Sequence, residues 1–289
     1  MTPASPDPVS PGPVSPDPAS PDPVSSDPAP EPGPPSLPSL AGQVALVTGA
    51  GGTIGRGIAL RFAAAGAAVV AHYRTNATAA RELVAHIEKR GGSALALAAD
   101  LSDEEECHHL VRAAADWRGR LTALVNNAGV QPTQDLASMS AADWRAVADV
   151  NVLSTFACTQ AAAAVMRTGG GGGTITHIAS IEADRPAAAH AHYCASKAAV
   201  VMHARSAALE YGPYGIRVNA VSPGLIARDG LEEDWPDGVR RWTRAAPTGR
   251  LGRPEEIGDA CVFLASSMAT WITGHNLTVD GGISARPTW

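Results

Sequence analysis

The first forty residues contain no lysine or arginine and almost no large apolar side chain, yet they hold 15 of the chain's 23 prolines. Such a stretch cannot bury enough surface to offset the entropy of ordering it. Residues 5–29 run as five pentapeptides, SPDPV, SPGPV, SPDPA, SPDPV and SSDPA. Proline at that density favours an extended coil, so residues 1–40 are expected to form a disordered tail. A secretory leader needs a basic start and an apolar middle, and this tail has neither. The chain has only four cysteines, Cys107, Cys158, Cys194 and Cys261, scattered without paired metal-ligand spacing. This argues for free thiols in a reducing cytoplasm rather than for a disulfide framework or a metal site. No apolar run is long enough to span a bilayer. An excess of charge of one sign is also missing from the body. The tail carries five acidic residues of a chain with net charge −6, which leaves residues 41–289 near −1. That balance gives no reason to expect a nucleic acid or a membrane surface as partner.

What is present begins at residue 41. Residues 43–50 form an apolar run, followed by Gly51-Gly52-Thr53-Ile54-Gly55-Arg56-Gly57. Ile54, Ile58 and Phe62 then recur at helical spacing. Strand, glycine turn and helix in that order fit a dinucleotide site, because the helix N-terminus offers N–H donors and the glycines let a pyrophosphate approach. Residues 68–73 read as the second strand. An acidic residue after this strand favours NAD and a basic one the extra phosphate of NADP; here the segment holds Arg74 and no acid. The expected cofactor is NADP rather than NAD.

Further elements follow in alternation. A helix is predicted over 76–90, a strand over 94–99 and a helix starting at Ser102. A strand is predicted over 121–125 and a helix around 141–165 that contains Asn151. Next come a strand over 174–179 ending at Ser180, a helix from Tyr193 to about Tyr211, and a strand over 216–221. The polar segment 225–247 reads as a mobile lid, followed by a helix over 254–266 and a strand over 276–279. Strands alternating with helices predict one α/β domain, a Rossmann-type doubly wound parallel sheet with helices on both faces. His190 and His192 leave two readings, a lining of the substrate entrance and, preferred, solvated loop residues. Tyr193 and Lys197, four apart, share one face of a helix. A hydroxyl, a phenol and an ammonium behind a nucleotide-binding turn suggest hydride transfer to or from a carbonyl. A nearby ammonium is expected to lower the pKa of the phenol.

Residues 41–289 resemble the short-chain dehydrogenase/reductase family along nearly their whole length. The resemblance rests on Thr48-Gly49…Gly55, Asp100, Asn126-Asn127-Ala128-Gly129, Asn151, Ser180, Tyr193-x-x-x-Lys197, Pro223-Gly224, GRLGRPEEI (249–257) and ITGHNLTVDGG (272–282). The last two segments look like the tail of ketoacyl-reductase-like and sugar- or alcohol-dehydrogenase-like members of the standard subgroup. Three positions depart from that pattern. Thr53 replaces a glycine of the turn, HIAS replaces the frequent NISS before Ser180, and Arg228 stands where a threonine is common. The resemblance implies Tyr193 as general acid and base, Lys197 beside it, Ser180 on the carbonyl oxygen, and Asn151 in a proton relay. It implies a dinucleotide held by Gly49, Gly52, Thr53, Ile54, Gly55, Tyr73, Arg74, Asp100, Leu101, Asn127, Ala128, Gly129, Pro223, Gly224 and Ile226, together with Tyr193 and Lys197. No metal is implied. It further implies a small carbonyl or alcohol substrate in a pocket built from 181–192 and 225–247. A homotetramer or dimer is expected through the helices carrying Asn151 and Tyr193, with Ser284–Trp289 at a subunit interface. Two other readings remain at this point. One is an idle dinucleotide-binding sensor or scaffold. The other is an epimerase- or dehydratase-type enzyme, suggested by Gly49-x-x-Gly52-x-x-Gly55. An enoyl reductase is disfavoured, because members acting on conjugated double bonds space the Tyr and Lys more widely.

Overall fold

A computed structural model describes residues 38–285. The predicted tail lies outside them, apart from Pro38, Ser39 and Leu40. Of the C-terminal six residues, only Ser284 and Ala285 are described. Leu40 corrects the expected boundary: it is fully buried, and its N–H donates to Ala65 O at 2.7 Å. One leucine after a proline-rich run does not mark itself as core.

Seven strands form one parallel sheet in the order β3-β2-β1-β4-β5-β6-β7. They are β1 (Val44–Val47), β2 (Ala68–Tyr73), β3 (Ser93–Ala98), β4 (Ala123–Asn126), β5 (Gly173–Ile178), β6 (Ile216–Pro223) and β7 (Asn276–Val279). β1 and β4 are buried at every position, as strands covered on both faces must be. One face packs against α3 (Glu104–Asp116), α5 (Ser154–Thr168) and α6 (Ala191–Tyr211), through residues such as Leu110, Met166 and Val200. The other packs against α1 (Thr53–Ala64), α2 (Ala77–Lys89) and α9 (Pro254–Ala265), through Phe62, Leu83 and Ile257. The predicted doubly wound sheet is therefore present, with the predicted strands in place.

Local chemistry sets the helix starts. Asn76 Oδ1 accepts from Ala79 N at 3.1 Å and caps α2. Asp103, one residue beyond the expected Ser102, caps α3 by accepting from Glu105 N and Glu106 N. Pro254 opens α9, where its missing N–H costs nothing. It lies so close to Gly57 of α1 that a Cβ there would sit 2.5 Å from it. Two predictions need correcting. The helix expected over 141–165 is α4 (Ala141–Ala148), one π-helical turn (Asp149–Leu153), and then α5. The segment 225–247 contains α7 (Leu231–Asp234) and α8 (Pro236–Ala245). Leu231 and Val239 are buried, and Trp242 packs over Gly224, so part of this polar stretch is anchored. Among the described residues, no helix is long and apolar enough to cross a membrane.

Candidate active site

The sheet order reverses direction between β1 and β4, where open α/β sheets form a crevice at the strands' carboxyl ends. Thr48 and Asn127 stitch this point together. Thr48 Oγ1 accepts from Asn127 N and Ala128 N, both at 2.9 Å. Asn127 Nδ2 donates to Thr48 O at 2.8 Å and to Gly49 O at 3.3 Å. Gly49 takes a left-handed φ of 64°. A Cβ on Gly55 would lie 2.3 Å from Gly49 O and 2.6 Å from Asn127 Nδ2, so only glycine lets the helix seat against the turn. The helix ladder begins with Arg56 N donating to Gly52 O. This leaves the N–H groups of Thr53, Ile54 and Gly55 without acceptors inside the helix.

A cavity of about 690 Å³ opens over this helix end. Its lining takes in Gly49, Gly52, Thr53, Ile54, Gly55, Tyr73, Arg74, Asp100, Leu101, Asn127, Ala128 and Gly129. Asp100 Oδ1 accepts from Ser102 N and Oγ. These bonds hold its pKa below the ordinary carboxylate value, and the nearby Arg74 adds to the effect. Arg74 is exposed and has no hydrogen-bond or ion-pair partner among the described residues. The cavity lining does not include Pro223, Gly224 or Ile226. Gly224 N donates to Val279 O, and a Cβ on it would meet the Trp242 ring at 2.9 Å. Ile226 bridges to Gly252. From that segment it is Arg228 that reaches the cavity, its guanidinium 2.8 Å from Asp234 Oδ2.

The predicted Ser180, Tyr193, Lys197 and Asn151 come together where β4 and β5 end against α6. Lys197 is 5% exposed; its Nζ donates to Ile178 O at 2.8 Å and lies 5.6 Å from the centre of the Tyr193 ring. Burial lowers its pKa to about 8. Burial also pushes the Tyr193 phenol up to about 12, while a hydrogen bond with Ser180 opposes that rise. The expected lowering by Lys197 is thus overturned in net direction, because the cost of desolvating a tyrosinate outweighs its stabilisation. Asn151 sits in the π-helical turn, a feature that often marks functional sites. Its Oδ1 accepts from Val130 N at 2.8 Å, and its Nδ2 donates to Val130 O and to Ser196 Oγ, both at 3.0 Å. A Cβ on Gly129 would lie 3.1 Å from Asn151 Oδ1 and 3.5 Å from Lys197 Nζ, so both groups flank that glycine.

Several participants escaped the sequence reading. His72 is buried; its Nδ1 accepts from Gly49 N at 3.0 Å and its Nε2 bonds Ala99 O at 3.1 Å. Burial lowers its pKa, so it braces the turn as a neutral ring. A histidine inside an apolar strand gave no sign of this. His192 is buried and His190 is half-buried rather than free in a loop. His190 Nδ1 meets Glu182 Oε2 at 2.9 Å, and His192 is buried with its Nδ1 accepting from Tyr193 N. Both are drawn in by packing of the loop against the start of α6. Among the described residues, no group of three or more His, Cys, Asp or Glu side chains is placed to hold a metal ion.

Comparison with known proteins bears on this arrangement. Residues 49–284 match the family model described as enoyl-(acyl carrier protein) reductase, which covers short-chain dehydrogenases and reductases. A 3-oxoacyl-[acyl-carrier-protein] reductase of Synechocystis sp. is 38% identical over 86% of this chain and 99% of the relative. An L-rhamnose 1-dehydrogenase (NAD(P)(+)) of Azotobacter vinelandii is 39% identical over 84% of this chain and 97% of its own. Among solved structures, a 7α-hydroxysteroid dehydrogenase complexed with NADH and 7-oxo glycochenodeoxycholic acid superposes with a TM-score of 0.80. It is 38% identical, over 84% of this chain and 95% of that one.

Proposed function

Since the chain belongs to the short-chain dehydrogenase/reductase family, oxidoreductases that act on CH–OH and C=O groups with a nicotinamide dinucleotide, we propose that it transfers hydride between NADP(H) and a carbonyl or secondary alcohol, with Tyr193 as general acid and base. The observation that carries this reading is the buried phenol of Tyr193, close to Ser180 and one helical turn from the buried Lys197. The nicotinamide supplies or accepts the hydride. The crevice suits such a group: its volume lies in the usual ligand range, and its floor is a helix N-terminus with free N–H donors.

The residues divide the remaining work. As a ketone is reduced, negative charge grows on its oxygen, and a donor must stabilise it before a proton arrives. Ser180 Oγ donates to that oxygen, and Tyr193 gives its proton. A phenol with a pKa near 12 is fully protonated at neutral pH, which suits the acid role. In oxidation the same phenol must take a proton, and the ammonium of Lys197 favours the tyrosinate that does so. Asn151 and Lys197 flank Gly129, where a water-borne proton relay to Lys197 is proposed to run. Asn151 also ties the loop after β4 to α6, which holds Tyr193 and Lys197 in register with the crevice.

Arg74 supports NADP, since an unpaired guanidinium at the cavity edge suits a ribose phosphate. Asymmetry of one cationic side chain against Asp100 leaves room for both dinucleotides to bind, with the phosphorylated one preferred. The exposed Phe156 of α5 and Met202 and Leu209 of α6 support a homo-oligomer through those helices. The four free, buried cysteines support a cytoplasmic enzyme. The single-turn spacing of Tyr193 and Lys197 supports carbonyl chemistry over reduction of a conjugated double bond. Tyr193→Phe tests the assignment. Turnover over a panel of ketones and alcohols should fall about 10³-fold or more, with dinucleotide affinity retained. Full activity in that variant would refute the role.

A further inference from the structure

Glu182 follows Ser180 by two residues and lies among groups that its helical turn does not supply. Its backbone N–H donates to Ser180 Oγ at 3.1 Å. Its Oε1 accepts from Gln131 Nε2 at 3.0 Å, out of the loop after β4. Its Oε2 meets His190 Nδ1 at 2.9 Å and the Cys194 thiol at 3.4 Å, both at the start of α6. Thr133 Oγ1 holds the far side of the His190 ring at 3.3 Å, and that ring stands edge-on to Tyr193 with centroids 6.1 Å apart. The loop after β4 and the start of α6 therefore converge on one carboxylate, whose charge opposes ionisation of the Tyr193 phenol. A structural carboxylate would be served as well at a distance from the chemistry. This one keeps 17% of its side chain open. An ionised carboxylate offers about four lone-pair sites, and the described donors use three of them.

We infer that Glu182 is the substrate-reading residue of this site, accepting a hydrogen bond from a hydroxyl on the carbon next to the reacting carbinol or carbonyl carbon. This rests on the reading of Tyr193 as the acid and base. The substrate class is then a neutral polyhydroxylated alcohol, ketone or lactol. A carboxylate or phosphate at the same position is rejected by like charge. The held geometry makes the preference strong, because a site built to receive a hydroxyl leaves its own polar group without that partner when the hydroxyl is missing. Glu182 acts on the substrate, while Gln131 and His190 are positioning residues that fix its carboxylate.

The test compares cyclohexane-1,2-diol with cyclohexanol, which differ by one hydroxyl, as substrates of the full chain. The wild-type protein should favour the diol in kcat/KM by about tenfold or more. Glu182→Ala should bring that ratio to within about twofold of unity, through loss of kcat/KM for the diol. Glu182→Gln keeps the shape and removes the charge, so its ratio should fall between the two. It decides the matter if the alanine variant does not fold. A ratio unchanged in the variants, or a wild-type protein that favours cyclohexanol, overturns the inference. Tyr193→Phe run beside them separates the two readings. Loss of turnover there with an unchanged ratio in the Glu182 variants overturns only the role of Glu182. Full turnover there overturns the acid and base assignment, whatever the ratio does.

Discussion

Replacing Lys197 with methionine should flatten the dependence of stability on pH in a window that the structure defines. The amine is buried, and burial lowers its pKa from 10.5 to about 8. The unfolded chain holds that proton up to about pH 10.5, whereas the folded chain releases it near 8. Between these values the unfolded state binds more protons, so stability rises with pH. Each pH unit corresponds to about 1.4 kcal/mol, which puts the cost of burying the charged amine at about 3 kcal/mol below pH 8. Methionine fills a similar volume and carries no such cost. It also deprives Ile178 O of a charged donor at 2.8 Å, a loss of about 1.5–3 kcal/mol. The two effects oppose each other at neutral pH, so the slope is diagnostic and the offset is not. Tyr193 acts with the opposite sign: its pKa rises from 10.0 to about 12 on folding, so stability falls as pH climbs from about 10 to 12. Measurements held at or below pH 10 keep that contribution to about 0.4 kcal/mol. Urea unfolding at pH 7.5, 8.5 and 10 should show the wild type gaining about 2–3 kcal/mol relative to Lys197→Met across the series. A difference between the two proteins that stays constant to about 0.5 kcal/mol would refute the depressed lysine, and with it the placement of the ammonium beside Tyr193.

Two further outcomes are expected. Gly55→Ala drives a methyl to 2.3 Å from Gly49 O and 2.6 Å from Asn127 Nδ2. The helix must shift off the turn, at about 1–3 kcal/mol of stability, with dinucleotide affinity falling about tenfold or more by fluorescence titration; unchanged affinity would show that the helix end does not seat the cofactor. Arg74→Ala should weaken NADPH binding by about 1–2 kcal/mol and leave NADH binding within about twofold, and equal losses for the two would remove Arg74 from the phosphate site.

How far the sequence could be read follows from the range of the forces involved. The parallel sheet was legible because its signals are local: VALV, AVVAHY and IRVNAV are buried strands that announce themselves by composition, and the turns between them carry glycine. The order of Ser180, Tyr193 and Lys197 along the chain was legible for the same reason. Effects set by packing were not. The π-helical turn carries Asn151, whose side chain bonds both Val130 and Ser196, neither of which is near it in sequence. Two helices in 225–247 went unread because they are short and rich in charged residues, with Leu231 and Val239 as their buried large apolar side chains. The direction of the Tyr193 shift is set by burial, which the sequence does not display and which outweighs the lowering influence of Ser180. Glu182 is the sharpest case. Its neighbours come from 131, from 190 and from 194, and nothing in IEAD distinguishes a solvated acid from a carboxylate held at the reacting phenol. A family pattern can carry the acid, the base and the cradle for the cofactor, since those must be alike wherever the same bond is made. The groups that choose the substrate are assembled across loops, and only the fold brings them together.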